Sequence, residues 1–596
     1  MHGVIVHQHL YQPPREDPWL EVVRTEPSAT PDHDWNARIN RECYARQAYA
    51  TTLRRDPRAS TRDTDARAGV GRVVNLYAWC SFDVGATLCE WLDSEAPDTL
   101  RAMQAGDAAS VRRWGHGNAI AAPYHHVILP LTSPRERTTE IRWGLRDFRR
   151  RFGRDAEGFW LPECAADEDT LDAVAAEGVQ FVILAPYQVQ GHDGSGMPVR
   201  WRGARGRTLT IVPYDGSLAG DVAFGSLLQD PAALARRFSP EIRDDSDRCT
   251  TLCTDGETFG HHHKAGDSAL AEALGIVARQ PGRRVLNAAT LVAEYPATSD
   301  VTLVSPSAWS CAHGVERWRS NCGCRLDGSK PPAQQWRGPL RRALETLATA
   351  VHDVYAREGA SLFTHNVWAV RDAFGAVVAL DGAAHDAFAR SVLPADAPAE
   401  AVVRARELLE MERASLRTFT SCAWFFDEVD RLEVRQVLRY AARALELSGL
   451  GAALMPEFTK ALGAASNGAE GARTAADVFV RDAVPHKGPA LCAAAAVAAL
   501  AAHGDPLTRL TAFDVQCAEQ DDAWVVTLTH RRSGRAGTFV ARVVGSGPSL
   551  TVSIAASGAD VSAREVVAVW EFPEAAATRL LGATALTDEA LLDELV

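Results

Sequence analysis

Two acidic residues stand where short apolar runs give way to helical patterns: Glu163 closes "GFWLPE" just ahead of "CAADEDTL", and Asp255 lies in "CTTLCTDGE". A pair of carboxyl groups facing each other across a cleft can cleave a glycosidic bond. One protonates the departing oxygen, and the other attacks the anomeric carbon or activates water. Their surroundings must then differ, because the acid needs a raised pKa and the nucleophile needs donors that keep it ionised. The plainer reading of each acid is a cap for the helix that follows.

Histidines gather near the same kind of position. His7 and His9 alternate along "GVIVHQH" and so project from one side of an extended strand, while His116, His125 and His126 lie in "GHGNAIAAPYHHVILPL". As a group they could ligate a metal or donate to hydroxyl groups, although a lone histidine is usually structural. The run His261 to His263 is internal and is no terminal tag. "SCAHGVERWRSNCGC" brings together Cys311, His313, Cys322 and Cys324, all residue types that bind zinc. Cys322 and Cys324 are only two positions apart and the spacing fits no established finger, so buried thiols in a loop are the favoured reading. "SCAWFFDE" at 421 to 428 reads as helical core for Phe425 and Phe426.

The elements that must position these residues follow from periodicity. Over the first 300 positions, β-like runs ("GVIVH", "GRVVNLY", "GFWLPE", "VQFVILA", "TLTIVPY", "CTTLCTDGE") alternate with helical patterns. One of those helices places Ile141, Leu145, Phe148 and Phe152 on one face; another starts near Asp169 and stops at Gly178. Such alternation predicts a parallel sheet, and the number of units favours a β/α barrel, whose site lies at the C-terminal ends of the strands. From 306 to 505 the patterns are helical, and "ALCAAAAVAALAAH" reads as one packed helix. Beyond 505, Trp524, Val526 and Leu528 on one arm and Phe539, Ala541 and Val543 on the other predict a hairpin in a small β module. The expected domains are therefore 1–305, 306–505 and 506–596.

Composition narrows the function. A net charge of −13 over 596 residues argues against a nucleic-acid surface, which needs clustered cations. No uncharged apolar run is long enough to span a membrane, and the start "MHGVIVHQHLYQPP" lacks the pattern of a secretion signal. Twelve cysteines in so long a chain read as reduced thiols of a cytoplasmic protein. Fifteen tryptophans suit stacking on sugars, though most tryptophan is core.

Motif by motif, "HQHLYQPP", "GHGNAIAAPYHHVILPL", "GFWLPE" and "TDGETFG" resemble the four leading motifs of the family-57 glycoside hydrolases, which act on α-glucans. "GRDAEGFWLPE", "EGVQFVILAPYQ" and the cysteine stretch are similar to a subgroup with an extended C-terminal half. The resemblance implies an incomplete seven-stranded parallel β/α barrel, followed by a helical bundle closing the cleft, and a retaining double displacement without metal or other cofactor. It makes Glu163 the nucleophile and Asp255 the general acid/base. His9 and His126 then line the subsite of cleavage with His7 behind them, and Trp160 and Trp424 form stacking walls. The family's usual His-Gln-Pro reads Tyr11-Gln12-Pro13 here, which moves a sugar contact to His9 or Tyr11, and no fifth motif is identified. The substrate implied is an α-glucan or maltooligosaccharide, with amylase, 4-α-glucanotransferase and branching activities all open. A metal-dependent carbohydrate deacetylase and a non-catalytic glucan-binding protein are the alternatives.

Overall fold

The computed structural model describes residues 1–54, 69–240, 246–325, 333–467, 472–559 and 563–582. They form two compact units that exchange short segments. The first comprises Met1–Pro14, Glu26–Arg337 and Phe419–Asp427; the second comprises Arg15–Thr25, Gly338–Thr418 and Glu428–Val596. The boundaries expected at 305/306 and 505/506 are not where the units part. The helix Pro489–Ala502 and the β strands after it share one core, and the stretch up to Arg337 stays with the sheets.

In the first unit the strands β1 (His2–Leu10), β2 (Ser81–Val84), β3 (Ala119–Ile120), β4 (Gly158–Phe159), β5 (Phe181–Leu184), β6 (Thr208–Pro213) and β7 (Arg248–Asp255) run parallel, and a further short strand, Arg283–Val285, lies parallel beside the start of β1. One sheet has the order β7-β1-β2-β3 and the other contains β4-β5-β6, extended by three further strands in mixed pairing, the first of them antiparallel to β6. A parallel bridge between Ala121 and Phe159 joins β3 to β4. Among the described residues no ladder joins β6 to β7. A single backbone bond, Asp215 N–H to Thr251 O at 2.8 Å, lies there, so the sheets are not closed into a ring.

The sequence pattern finds the apolar strands, the short β4 and β5 among them, and misses β2 and β3. β1, buried along its whole length, reads as an apolar run because both of its faces are covered. "GRVVNLY" does form a strand, Gly69–Val74, but it pairs antiparallel with Ala50–Arg54 in a separate ribbon. The sheet member is instead β2, whose "SFDV" carries polar Ser81 and Asp83 on one face and was not recognised.

The helix Pro134–Phe152 buries Ile141 and Phe148 as its periodicity requires. It starts with a reciprocal capping box between Ser133 and Glu136 and ends at Gly153, φ 68°. Its Gly144 touches the chain just before the histidine pair: a Cβ there would lie 1.8 Å from Ala122 O. The helix Glu168–Ala176 is capped by Asp167, whose side chain accepts from Thr170 N–H.

In the second unit the helices Ala399–Arg417 and Leu432–Ser448 carry much of the core, including Leu408, Leu409, Val437 and Leu445. Glu412 is completely buried there between Arg371 at 2.6 Å and His352 at 2.9 Å. The Ala-rich helix Pro489–Ala502 packs against a six-stranded antiparallel sheet that includes the expected hairpin, with Val526 opposite Phe539 and Trp524 opposite Ala541. Alanines let that helix approach the sheet closely enough to cover Val526, Leu528, Val552 and Ile554. No helix among the described residues is long and apolar enough to cross a membrane.

Gly144→Ala is expected to destabilise the protein by roughly 1–3 kcal/mol, the cost of overpacking a filled contact. Thermal denaturation followed by circular dichroism measures it. An unchanged midpoint would show that Ala122 can move freely.

Candidate active site

The strand register sets the polar floor of the site. His9 on β1 is paired across the backbone with Asp83 on β2 and with Asp255 on β7, so three titratable groups stand in one row at the C-terminal edge of the sheet. Asp83, wholly buried, clamps two rings: its Oδ2 lies 2.8 Å from His9 Nδ1 and its Oδ1 3.2 Å from His7 Nε2. His9 Nε2 is 3.0 Å from His126 Nε2, and His126 Nδ1 is 2.7 Å from Ser421 Oγ.

One proton assignment satisfies the chain from Asp83 to Ser421. Burial works against a charge on His9, but the Asp83 carboxylate, with Asp255 and Glu257 beyond it, raises the ring to about 9. Burial and the neighbouring His9 cation hold His126 well below the ordinary histidine value. His9 thus donates from both nitrogens, to Asp83 and to His126. Neutral His126 accepts at Nε2 and donates from Nδ1 to Ser421. Asp83 is held below the usual carboxylate range: burial opposes this, and the charge and hydrogen bonds of His9 and His7 outweigh it.

Glu163 follows β4 in a turn where it adopts φ 59° and Cys164 φ 48°; His126 adopts φ 55°. Left-handed backbone at non-glycine residues costs of order 1–3 kcal/mol each, so the surrounding bonds must impose it. At Glu163 they are visible. Its carbonyl accepts from Trp309 N–H at 2.8 Å, and its Oε2 accepts from Trp309 Nε1 at 3.0 Å and Ser310 Oγ at 2.5 Å. Oε1 takes no hydrogen bond from any described residue.

Asp255 ends β7 with solvent reaching its side chain. The enclosing protein nevertheless raises its carboxyl to about 7; the His9 cation opposes this shift, while Glu257, Glu163 and Asp83 add to it. Glu257, two positions on, is anchored by Tyr44 Oη and by Gln12 Nε2 at 3.1 Å. Asp255 receives no such bond from a described residue.

The aromatic residues divide by exposure. Trp160, expected as a stacking wall, is instead wholly buried behind the histidines, its ring stacked on His7 and His9 at centroid distances of 5.1 and 5.0 Å. Half-exposed Tyr11 stacks on His126 at 3.7 Å and pairs its hydroxyl with Thr420 Oγ1 at 2.9 Å. Trp424 is completely buried and donates from Nε1 to Arg337 O at 3.2 Å, so it presents no ring face for stacking, contrary to expectation. The half-buried ring beside the acids is Trp309, edge-on to Trp160 at 5.2 Å.

Two histidines expected on the same face are elsewhere. His116 pairs with Glu157 at 2.6 Å, and His125 turns its Nδ1 to Glu140 at 2.7 Å. The site residues that the pattern did not reveal are Asp83, Glu257, Trp309, Ser310 and Ser421. Asp83 was recoverable from the strand alternation in "SFDV". Ser310 and Ser421 are exposed by no local signal, because their partners are far away in sequence.

The cysteine stretch also differs from a loop of buried thiols. Only Cys311 is buried, and one ligand atom from each of Cys311, His313, Cys322 and Cys324 lies within 4.8 Å of the others.

Comparison with known proteins accords with this geometry. Residues 3–294 match the family model described as glycosyl hydrolase family 57, and residues 333–543 match a domain of unknown function, DUF3536. The 4-alpha-glucanotransferase of Thermococcus litoralis is 24% identical over 29% of this chain and 25% of its own length. The alpha-amylase of Pyrococcus abyssi is 22% identical over 30% of this chain and 26% of its own. The chain thus spans about a quarter of the length of these curated relatives. An exo-type maltose-forming amylase from Pyrococcus sp. ST04 shares the fold, with a TM-score of 0.56 at 14% identity over 77% of this chain and 82% of that one.

Asp83→Asn is expected to cost roughly 3–5 kcal/mol, as loss of one partner of a buried charge pair does. The raised His9 value contributes stability that is complete below the unfolded histidine pKa of about 6.5 and lost as pH rises through about 9. The deficit of the variant should therefore be largest near pH 5–6.5 and shrink above pH 9. Thermal midpoints across that range measure it, and a pH-independent deficit would mean that His9 is neutral.

Proposed function

Since residues 3–294 belong to glycosyl hydrolase family 57, we propose that the protein is a retaining α-glucan-active enzyme, with Glu163 as nucleophile and Asp255 as general acid/base. The observation that carries this reading is the unequal treatment of the two carboxyl groups. Glu163 is oriented through Oε2 by two fixed donors, leaving Oε1 free to attack. Asp255 is raised to about 7 and can hold a proton near neutrality. The parallel strands and their order support the finer reading of an open seven-stranded β/α barrel, with the site at the C-terminal strand ends.

The steps follow from the atoms. Glu163 Oε1 attacks the anomeric carbon as the glycosidic C–O bond breaks, and Asp255 gives its proton to the departing oxygen. In the second half, water or a sugar hydroxyl loses a proton to Asp255 and attacks the same carbon, releasing Glu163 with the anomeric configuration retained. Whether water or sugar intercepts the intermediate decides between amylase-like and transferase-like outcomes. The names of the relatives, amylase and 4-alpha-glucanotransferase, support an α-glucan substrate. His9, His126 and Tyr11 would contact the sugar at the point of cleavage, with His7 and Trp160 fixing the rings from behind. The Asp83 clamp speaks against the deacetylase alternative: both of its oxygens are occupied by histidine rings.

With a maltooligosaccharide, Glu163→Gln should lose activity by roughly 10³-fold or more while keeping its melting temperature, and NMR should show the α-anomer forming first in the wild type. For the wild type kcat/KM should fall tenfold per pH unit above about 7, because the free enzyme must carry the Asp255 proton. Asp255→Asn should abolish that limb on a substrate with an activated leaving group. A β-anomeric first product, or an unchanged alkaline limb, would overturn the assignment.

Trp309→Phe keeps the ring and removes only the donor to Glu163. A hydrogen bond to a charged group contributes about 1.5–3 kcal/mol, so kcat should fall roughly 10- to 150-fold with little change in KM. A change confined to KM would place Trp309 in binding alone.

A further inference from the structure

The four residues Cys311, His313, Cys322 and Cys324 surround a point that no part of the mechanism uses. A zinc ion bound tetrahedrally, with Zn–S near 2.3 Å and Zn–N near 2.0–2.1 Å, places two sulfurs about 3.8 Å apart and a sulfur and a nitrogen about 3.6 Å apart. Here Cys311 Sγ and Cys322 Sγ are 3.9 Å apart, and Cys324 Sγ and His313 Nδ1 are 3.5 Å apart. All four ligand atoms lie within 4.8 Å of one another. The sulfurs are too far apart for a disulfide, whose S–S bond is near 2.0 Å.

The surroundings fit a structural thiolate site. Cys324 N–H points at Cys322 Sγ at 3.5 Å. Gly323 takes φ 83°, a conformation that lets the chain fold back between Cys322 and Cys324. Gln334 fixes that turn from outside, accepting from Gly323 N–H at 3.2 Å and donating to Cys324 O at 2.8 Å. This is the outer support that metal ligands require.

We propose that Cys311, His313, Cys322 and Cys324 bind one zinc ion, which braces the loop carrying Trp309 and Ser310 against Glu163. Four protein ligands fill the tetrahedral shell, so the ion has no open position and takes no part in bond cleavage. Its bracing role follows from connectivity: Cys311 is the next residue after Ser310, and Ser310 with Trp309 supplies every donor that Glu163 Oε2 receives from a described residue. The metal site itself does not depend on the activity assigned above.

The test uses the full chain purified without added metal. Elemental analysis should give about one zinc per chain, retained by Glu163→Gln and lost in the Cys322→Ser, Cys324→Ser double variant. Replacing the metal in the wild type by cobalt(II) should produce the visible d–d bands of a tetrahedral thiolate complex, a readout that needs no variant. Removing zinc should increase hydrogen exchange over 305–325 while leaving β1 and β7 protected. A metal-free protein with all twelve cysteines titratable, a protein with two fewer thiols because Cys311 and Cys322 are oxidised, or one carrying iron in place of zinc would each overturn the site. Unchanged exchange over 305–325 after zinc loss would overturn the bracing role.

Discussion

The buried Asp83 carboxylate is the constraint on which the rest of the site depends. A negative charge without solvent must be matched, and two histidine rings from the neighbouring strand match it, one at each oxygen. The match fixes the tilt of both rings and keeps His9 charged, which leaves His126 with only an accepting role at Nε2. Trp160 closes the arrangement by stacking on both rings, and its full burial denies water to the clamp. A cation at His9 then faces Asp255 directly across the strand pair. The electrostatics of the proposed acid are therefore set one strand away from it.

Order at the strand edge does not come from the sheets alone. The residues in left-handed conformation, His126, Glu163 and Cys164, lie where the chain leaves β3 and β4. His126 and Glu163 are each held by a segment that returns from far along the sequence. Thr420 bridges Val127 and Ser421 N–H bonds to His126 O at 3.0 Å, while Trp309 and Ser310 hold Glu163. The helical half of the sequence thus lends the first unit a short stretch, Phe419–Asp427, and takes Arg15–Thr25 in exchange. Glu16 in the second stretch accepts from Arg413 at 3.0 Å and from Arg417, and its carbonyl accepts from Gln436 at 2.6 Å. Such exchange puts residues nearly 300 positions apart within one hydrogen-bonded chain.

How much of this was legible in the sequence depends on the range of the interaction. Long strands and amphipathic helices were readable because their patterns are local: β1, β7 and the helix Pro134–Phe152 all appear where periodicity puts them. β2 is polar at alternate positions and β3 spans two residues, so neither stands out as an apolar run, and Asp83 went unseen with them. Glu163 and Asp255 stood out as acids at strand ends, but what distinguishes them, donors at one and none at the other, comes from residues 309 and 310 and from the strand register. Trp160 and Trp424 have similar apolar neighbours in sequence, and both rings are buried; the half-exposed Trp309 was masked by its place beside a cysteine motif. That motif misled for a related reason. Ligand spacing along the chain is a poor guide when the loop between Cys311 and Cys322 folds back through a short helical turn, Glu316–Trp318, and a left-handed Gly314.

Four carboxyl groups crowd one end of the sheets, and the structure treats each differently. Asp83 is matched by the His9 cation and a hydrogen bond from His7, Glu257 is anchored by Tyr44 and Gln12, and Glu163 is oriented by Trp309 and Ser310. Asp255 alone lacks a donor among the described residues while feeling the other three charges. Like charges at close range cannot all remain ionised without penalty, so the proton settles on the group with the fewest hydrogen bonds to its anion. This argument selects Asp255 over Glu257 as the acid, although both follow the same strand and Glu257 is also raised by burial. It also explains why the anchored acids matter to the chemistry without touching a substrate: moving a donor from Glu257 to Asp255 would ionise the acid at neutral pH and remove its proton from the reaction.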